Sequence, residues 1–313
     1  MTKIHIPLTV PKAKEKEYIK NFKLATRNTG RLMMFAGDQK VEHLNNDFVG
    51  RDIPEEVADP EHYFKIASQA HIGVFASQFG LIAKYGRDYP KIPYLIKANS
   101  KTNLLTEKYQ DPFSNRWIPM EDIVEFKKQS GLNIVGVGYT IYIGSCYESD
   151  MFGQAARIVS DAHQEGLLTV IWMYPRGKAV LDASENDIHL IAGGAGVAVC
   201  LGADFVKVNY PYGANSQKIA KRFKEAVQAA GRTGVICIGG TKKKTKKFLQ
   251  NIHDQIHIAG ARGQAVGRNI YQRPLDEAIR MADAISSISL YNYSVEEAYD
   301  IFLGKKKWFN SQK

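Results

Sequence analysis

Short apolar segments alternate with amphipathic helical segments about eight times along this chain of 313 residues. Most of the segments are apolar on both faces, which is typical of parallel strands covered by helices. Eight such units in one domain of this size predict an α/β fold of the (β/α)8 TIM-barrel type. A doubly wound open sheet is the alternative. We expect an N-terminal helical arm over residues 1–30, the barrel over residues 31–290 and a C-terminal helical tail over residues 291–313.

Glycine, proline and polar clusters mark where each apolar segment ends. The predicted strands are residues 32–36, 73–77, 93–97, 133–142, 168–174, 204–208, 234–238 and 255–259. After the seventh strand, Thr241 is expected to cap a lysine-rich helix that runs to Ile252.

The composition limits the location and the partners. Lys and Arg number 42 against 32 Asp and Glu, a formal net charge of +10, which is compatible with phosphate esters or with weak nucleic-acid contact. The cysteines, Cys146, Cys200 and Cys237, give neither a disulfide framework nor zinc spacing and fit a reducing compartment. The N-terminus has no secretory signal, and no apolar run approaches the roughly 18 residues of a membrane span. We therefore expect a cytoplasmic protein with no membrane contact.

Lys207 lies at the carboxyl end of an otherwise apolar strand. An ammonium taken out of water is costly unless it is paired or loses its proton. A desolvated lysine with a lowered pKa is a nucleophile that forms a Schiff base with a carbonyl substrate. The structural alternatives are an ion-paired lysine and one whose ammonium reaches the surface.

Three residues of the fifth strand, Trp172, Tyr174 and Arg176, are spaced by two and so point to the same side. At the mouth of a barrel they would supply a wall, a proton donor and an anion ligand. The alternative is an aromatic core plug with an arginine at its rim.

Further polar residues fall at strand ends, where barrels carry their chemistry. Asp38 follows the first strand, and Lys97 and Asn99 end the third. Glu42 and His43 have the character of a metal pair, but no third ligand lies at metal spacing. We expect them to form a polar wall of the site, with no metal and no cofactor.

Glycine-rich loops follow the last two predicted strands. Gly239 and Gly240 follow the seventh, and residues 260–269 contain Gly267. Loops in these places of a barrel often bind phosphate through backbone amides. Arg268 adds a guanidinium suited to bidentate contact.

The lysine run over residues 241–247 is interpreted as a solvated helix face, with Lys242 as the member nearest the phosphate loop. A basic nucleic-acid-binding protein is the non-enzymatic alternative. It leaves Lys207 and the aromatic strand unexplained, so we expect no nucleic-acid partner.

Taken together, these segments resemble the archaeal-type class I fructose-bisphosphate aldolases of the deoxyribose-phosphate aldolase superfamily. They occur in the family's order and are FAGDQKVEH (35–43), LIKANSKT (95–102), GYTIYIGSCYE (138–148), WMYPRG (172–177), ADFVKVNYP (203–211), GG (239–240) and GARGQAVGRNIYQ (260–272). The resemblance implies a phosphorylated sugar as substrate and a homo-oligomer. It implies reversible cleavage of fructose 1,6-bisphosphate to dihydroxyacetone phosphate and glyceraldehyde 3-phosphate, without metal or cofactor.

The resemblance also implies the roles of individual residues. Lys207 would form the Schiff base, Tyr174 would transfer protons and Asp38 would orient the substrate. The site would be lined by Trp172, Arg176 and His43, and the phosphate would be held by Gly239, Gly240, Gly267 and Arg268. The family commonly has Asp-His-Gly where this chain has Asp38-Gln39-Lys40. The alternative is therefore a same-family aldolase, transaldolase or thiolase-like enzyme for another phosphorylated keto compound.

Overall fold

Eight parallel strands close into one barrel in the order of the chain. The computed structural model describes residues 4–103, 111–180 and 184–306. The strands are β1 (Leu32–Ala36), β2 (Val74–Gln78), β3 (Tyr94–Lys97), β4 (Ile134–Ile143), β5 (Leu168–Pro175), β6 (Phe205–Val208), β7 (Gly234–Ile238) and β8 (Gly263–Val266). The last strand pairs with the first, so the predicted TIM barrel is confirmed and the open sheet is wrong.

Helices pack around the barrel and at its two ends. They are α1 (Glu15–Ala25), α2 (Gln39–Glu42), α3 (Glu61–Gln69), α4 (Phe79–Tyr85), α5 (Met120–Ser130), α6 (Glu148–Gln164), α7 (Ile188–Cys200), α8 (Ser216–Ala230), α9 (Thr245–His257), α10 (Arg268–Tyr271), α11 (Leu275–Tyr291) and α12 (Val295–Phe302). Three of the described helices begin at side-chain caps, because Asp187 and Asn215 each accept a backbone N–H at the starts of α7 and α8, and Ser294 forms a capping box at the start of α12. The described helices include none long and apolar enough to cross a membrane. The end of the predicted C-terminal tail, residues 307–313, lies outside the described residues.

Alternate residues of each strand point into the barrel. Met34, Trp172, Phe205 and Ile236 belong to one buried interior cluster, whereas Val206 belongs to the layer between strands and helices. Side chains that continue the inward series past the strand ends therefore meet above this cluster. We therefore expect the functional site at the carboxyl end of the barrel, directly above this apolar cluster.

The N-terminal arm seals the amino end of the barrel. Val10, Tyr18 and Phe22 are buried in the same interior cluster as the inward strand residues. The Tyr18 hydroxyl donates to Asp204, whose carboxylate also accepts the Thr169 N–H. The barrel is thus closed at its amino end.

The predicted eighth strand is wrong. Residues 255–259 fall at the carboxyl end of α9, whose apolar residues continue at helical spacing; the local alternation of polar and apolar residues imitates a strand. The true strand, β8, begins at Gly263, where φ is 145° and an added Cβ would lie 1.9 Å from the carbonyl oxygen of Leu32. Barrel closure therefore depends on this glycine.

The predicted cap at Thr241 is also wrong, since α9 begins at Thr245. Residues 239–243 instead form a loop that hydrogen-bonds to the Asn269 side chain. Its Nδ2 donates to the carbonyls of Gly239 and Thr241, and its Oδ1 accepts the Lys243 N–H. The loops after β7 and β8 are consequently joined into one surface.

Candidate active site

A cavity of about 90 Å3 opens at the carboxyl ends of the strands. It is lined by Asp38, Gln39, Glu42, His43, Tyr174, Lys207, Ile238, Gly239, Gly240, Ala265, Gly267 and Arg268. Eight of the ten site residues predicted from sequence are among them, so the fold brings these eight to one place. The two exceptions are Trp172 and Arg176.

Lys207 is buried beneath this cavity, with 5% of its surface exposed. In the described part of the chain its Nζ has neither a hydrogen bond nor an ion pair; the indole of Trp172 lies 4.9 Å away, measured to the ring centroid. Burial lowers the pKa of Lys207, and the positive charge of Lys97 adds to this effect, while Asp38 and Glu42 oppose it. Among the described residues Lys207 is therefore neither an ion-paired lysine nor one whose ammonium reaches the surface, and its side chain is suited to act as a neutral amine.

A buried ion cluster stands beside Lys207. The Lys97 ammonium donates to Asp38 Oδ2 at 3.3 Å and to Glu42 Oε1 at 2.9 Å, and Ser100 Oγ also donates to Glu42. Burial alone would raise the pKa of Asp38, but the charge that Lys207 carries when protonated and the charge of Lys97 outweigh it and lower that pKa. The ion pair with Lys97 does not depend on the protonation of Lys207. Asp38 is therefore an ionised carboxylate at neutral pH.

Sequence reasoning gave Lys97 no role and considered Glu42 only with His43. His43 Nδ1 instead lies 2.5 Å from Asp47 Oδ2, and within the described ranges no cluster of three or more His, Cys, Asp or Glu residues has metal-binding geometry. The signal for Lys97 was present, because it is a lysine at the end of an apolar strand, as Lys207 is.

Tyr174 extends from β5 into the cavity. Burial raises its pKa well above the ordinary value, and the negative charges of Glu42 and Asp38 raise it further. The phenol is therefore protonated at rest, and it can donate a proton before it can accept one.

Trp172 and Arg176 occupy different positions from those predicted. Trp172 is fully buried, and its ring lies below the cavity within 5 Å of both the Lys97 and the Lys207 ammonium nitrogens, at 4.8 and 4.9 Å to the centroid. Arg176 forms a 3.1 Å ion pair with Glu185 and is absent from the described cavity lining. Trp172 thus forms the floor, while Arg176 belongs to the rim.

Three glycines form one side of the cavity. At Gly267 an added Cβ would lie 2.4 Å from Gln39 Nε2 and 3.0 Å from the carbonyl oxygen of Ala36. Gly240 has a φ of +67°, and an added Cβ there would lie 2.8 Å from the Lys243 ammonium nitrogen. Close backbone approach of this kind suits a bound oxyanion.

The cationic groups nearest these glycines are Arg268 and Lys243. Arg268 lines the cavity and contacts Asp47 at 3.4 Å. Lys243 donates to the carbonyl of Gly239, and burial together with the charge of Arg268 lowers its pKa. Lys242, which the sequence analysis placed nearest the phosphate loop, donates its ammonium to the carbonyl of Gln272 and is not among the described residues that line the cavity.

A larger cavity, about 210 Å3, lies at the amino end of the barrel. Its described lining contains Tyr18, Asp204 and two arginines but no lysine. Asp204 is already engaged by Tyr18 and by the Thr169 backbone. The chemistry of an amine nucleophile therefore belongs to the opposite end.

The fold and this site define a class of protein. A buried lysine with a lowered pKa at the carboxyl end of a barrel strand, with a protonated phenol and an ionised carboxylate beside it, is suited to enzymes that form a Schiff base with a carbonyl substrate. The comparisons with known proteins agree with this class.

The sequence pattern of the DeoC/LacD family aldolases matches residues 32–273. A relative from Methanocaldococcus jannaschii, named fructose-bisphosphate aldolase/6-deoxy-5-ketofructose 1-phosphate synthase, is 57% identical over 97% of this chain and 96% of its own length. The chain therefore belongs to the DeoC/LacD family of aldolases.

Solved structures are similar over most of the chain. A fructose-bisphosphate aldolase from Slackia heliotrinireducens has a TM-score of 0.95 at 50% identity and covers 99% of this chain and 97% of its own. An archaeal fructose-1,6-bisphosphate aldolase, solved with its catalytic lysine bound to the carbinolamine intermediate of the substrate, has a TM-score of 0.73 at 33% identity, covering 87% and 99%.

Proposed function

We infer that the protein is a class I aldolase that reversibly cleaves fructose 1,6-bisphosphate to dihydroxyacetone phosphate and glyceraldehyde 3-phosphate. The observation that carries this inference is Lys207, a buried amine that forms no ion pair with the described residues. It lies near the carboxyl end of β6, below a cavity with a glycine wall and an arginine. The names of the relatives support the same substrate.

The first stage joins the sugar to the enzyme. The Lys207 amine attacks the keto carbon, C2, and gives a carbinolamine. Tyr174 donates its proton to the departing hydroxyl, so water leaves and a cationic iminium forms beside the Tyr174 phenolate. The ionised Asp38 carboxylate stabilises that cation electrostatically.

The second stage breaks the bond between C3 and C4. The Tyr174 phenolate takes the proton of the C4 hydroxyl, the aldehyde leaves, and the bonding electrons pass into the iminium to give an enamine. Tyr174 then protonates C3, and water hydrolyses the resulting iminium. Each proton that the phenol gives is returned in the next step, which suits a group that is protonated at rest.

A second activity is favoured by the relative from Methanocaldococcus jannaschii, whose name includes 6-deoxy-5-ketofructose 1-phosphate synthase. That product divides between C3 and C4 into dihydroxyacetone phosphate and 2-oxopropanal. The enamine on Lys207 would add to 2-oxopropanal in place of glyceraldehyde 3-phosphate, and no new chemistry would be needed. We propose this transfer as an additional reaction of the same site.

The test is borohydride reduction during turnover, followed by mass mapping. With fructose 1,6-bisphosphate we expect a sugar adduct on Lys207 and release of both triose phosphates. Addition of 2-oxopropanal should divert the bound fragment into a six-carbon monophosphate. If an adduct forms only with a different phosphorylated ketone, the mechanism stands and that ketone is the substrate. If no adduct forms with any carbonyl compound, the aldolase assignment is refuted.

The proposed phosphate wall leads to a prediction at Gly267. Gly267→Ala should raise the KM for fructose 1,6-bisphosphate by about tenfold or more, because the methyl group meets a fixed backbone oxygen and pushes Gln39 into the cavity. Steady-state kinetics would measure it.

Gly153→Ala is the matched control. Gly153 lies on the exposed face of α6, and its added Cβ would meet no atom within 4 Å. We expect unchanged kinetics for this variant. An unchanged KM in Gly267→Ala as well would show that the wall does not hold the substrate.

We propose a reducing, cytoplasmic location for the enzyme. Its three cysteines are all free thiols, with Cys237 buried and Cys146 and Cys200 exposed. Cytosolic proteins commonly keep their thiols reduced.

A further inference from the structure

Lys97 is a second buried lysine at the candidate site, and the mechanism above does not use it. Its side chain is fully buried, and its ammonium contacts both Asp38 and Glu42. Lys97 and Lys207 end β3 and β6, and both nitrogens lie close to the ring of Trp172. Two lysines and two carboxylates thus share one small, water-poor volume.

The contacts in this cluster are distributed unequally. Lys97 contacts both carboxylates, at 3.3 and 2.9 Å, whereas Lys207 contacts neither in the described part of the chain. The Lys97 contact uses Asp38 Oδ2, and the buried Oδ1 has no hydrogen-bond partner among the described residues. A buried charge without a partner is costly, so the pairing of Lys97 satisfies two acids that would otherwise favour a proton on Lys207.

We propose that Lys97 is a positioning residue of the aldolase reaction: by holding Asp38 and Glu42 in ion pairs, it leaves Lys207 as a free amine and leaves Asp38 Oδ1 available to the substrate. The proposal rests on the proposed function, since it explains how the Schiff-base lysine is kept ready. Lys97 acts through the other charged groups and makes no bond to the sugar.

The direction of the electrostatic effect supports this role. Burial opposes the charged form of Lys97, but Glu42 and Asp38 outweigh it and raise the pKa of Lys97, so Lys97 remains an ammonium. The same ammonium lowers the pKa of Lys207. Removal of Lys97 would take away one positive charge and would leave Asp38 and Glu42 without their ion-pair partner. Both changes would raise the pKa of Lys207.

Other titratable and charged groups also face this cluster. From the elements around it these are His43 after α2, Tyr142 on β4, Tyr174 and Arg176 on β5, and Arg268 on α10. They are unchanged in the variants below, so a change in pH dependence would report on Lys97.

The test compares Lys97→Met with the wild-type enzyme from pH 5 to pH 9. We expect the acidic limb of the plot of kcat/KM against pH to move to higher pH by about one unit or more. Borohydride trapping on Lys207 at pH 7 should slow by about tenfold and recover at higher pH, because a tenfold loss of neutral amine accompanies each unit. Lys97→Arg, which keeps the charge, should leave the limb near its wild-type position.

A second variant keeps the proposal testable if Lys97→Met does not fold. Lys97→Met combined with Glu42→Gln removes one charge of each sign, and we expect a limb between those of the wild type and Lys97→Met. Lower activity at every pH with an unmoved limb, in either variant, would mean that Lys97 is only structural and would overturn the proposal. Failure of the wild-type enzyme to form any adduct would instead refute the proposed function.

Discussion

Lys207→Met is expected to lower cleavage of fructose 1,6-bisphosphate by at least about 10⁴-fold and to abolish the borohydride adduct at this position. Methionine has a similar length and is apolar, so only the amine is removed. Because Lys207 has no ion pair with the described residues, the cluster of Lys97, Asp38 and Glu42 remains intact. The melting temperature should therefore stay at or above that of the wild type. Kinetics, mass mapping and thermal denaturation would measure these outcomes.

Lys218→Met is the matched control, because Lys218 lies exposed on α8. It should retain wild-type activity and the adduct on Lys207. Substantial cleavage by Lys207→Met, with an adduct on another lysine such as Lys97, would show that the nucleophile has been assigned incorrectly.

Tyr174→Phe is expected to lower cleavage by about 10²- to 10⁴-fold, because the phenol serves both the dehydration step and the bond-breaking step. The ring and its packing are kept. Prolonged incubation with fructose 1,6-bisphosphate before borohydride should trap an uncleaved six-carbon adduct on Lys207. In the wild type the three-carbon fragment should be trapped as well, and the adduct masses distinguish the two.

Tyr142→Phe is the control for this variant. Tyr142 is a buried phenol whose ring centroid lies 6.5 Å from that of Tyr174, and it is not among the described residues that line the cavity. Its replacement should change activity by only a few-fold. A three-carbon adduct formed by Tyr174→Phe at the wild-type rate would contradict the proton-transfer role.

Lys207 and Tyr174 were predictable from sequence because each signal is local. A lysine at the end of an apolar strand and an aromatic spacing of two identify an inward side chain without knowledge of its neighbours. The barrel was predictable for the same reason, since eight repeats of one pattern leave few alternatives.

Interactions between distant segments were not predictable in this way. The contact of Lys97 with Asp38 joins residues 59 positions apart, and it exists only once β1 and β3 stand in one closed sheet. Arg176 was expected at the anion because its spacing matched, yet Glu185, beyond the end of β5, holds it at the rim. The eighth strand was misplaced because the five residues 255–259, the last three of α9 and the two that follow it, fit both periodicities.

The sealed amino end of the barrel has a kinetic consequence. Tyr18 and Phe22 of the arm are buried in the same interior cluster as Phe205, so we expect the substrate and both products to pass through the cavity at the carboxyl ends of the strands. In the proposed mechanism one fragment stays bound to Lys207 until the iminium is hydrolysed, whereas the aldehyde is released when the bond between C3 and C4 breaks. The products must therefore leave in a fixed order, the aldehyde first and the ketone second, and in the synthetic direction the ketone must enter first.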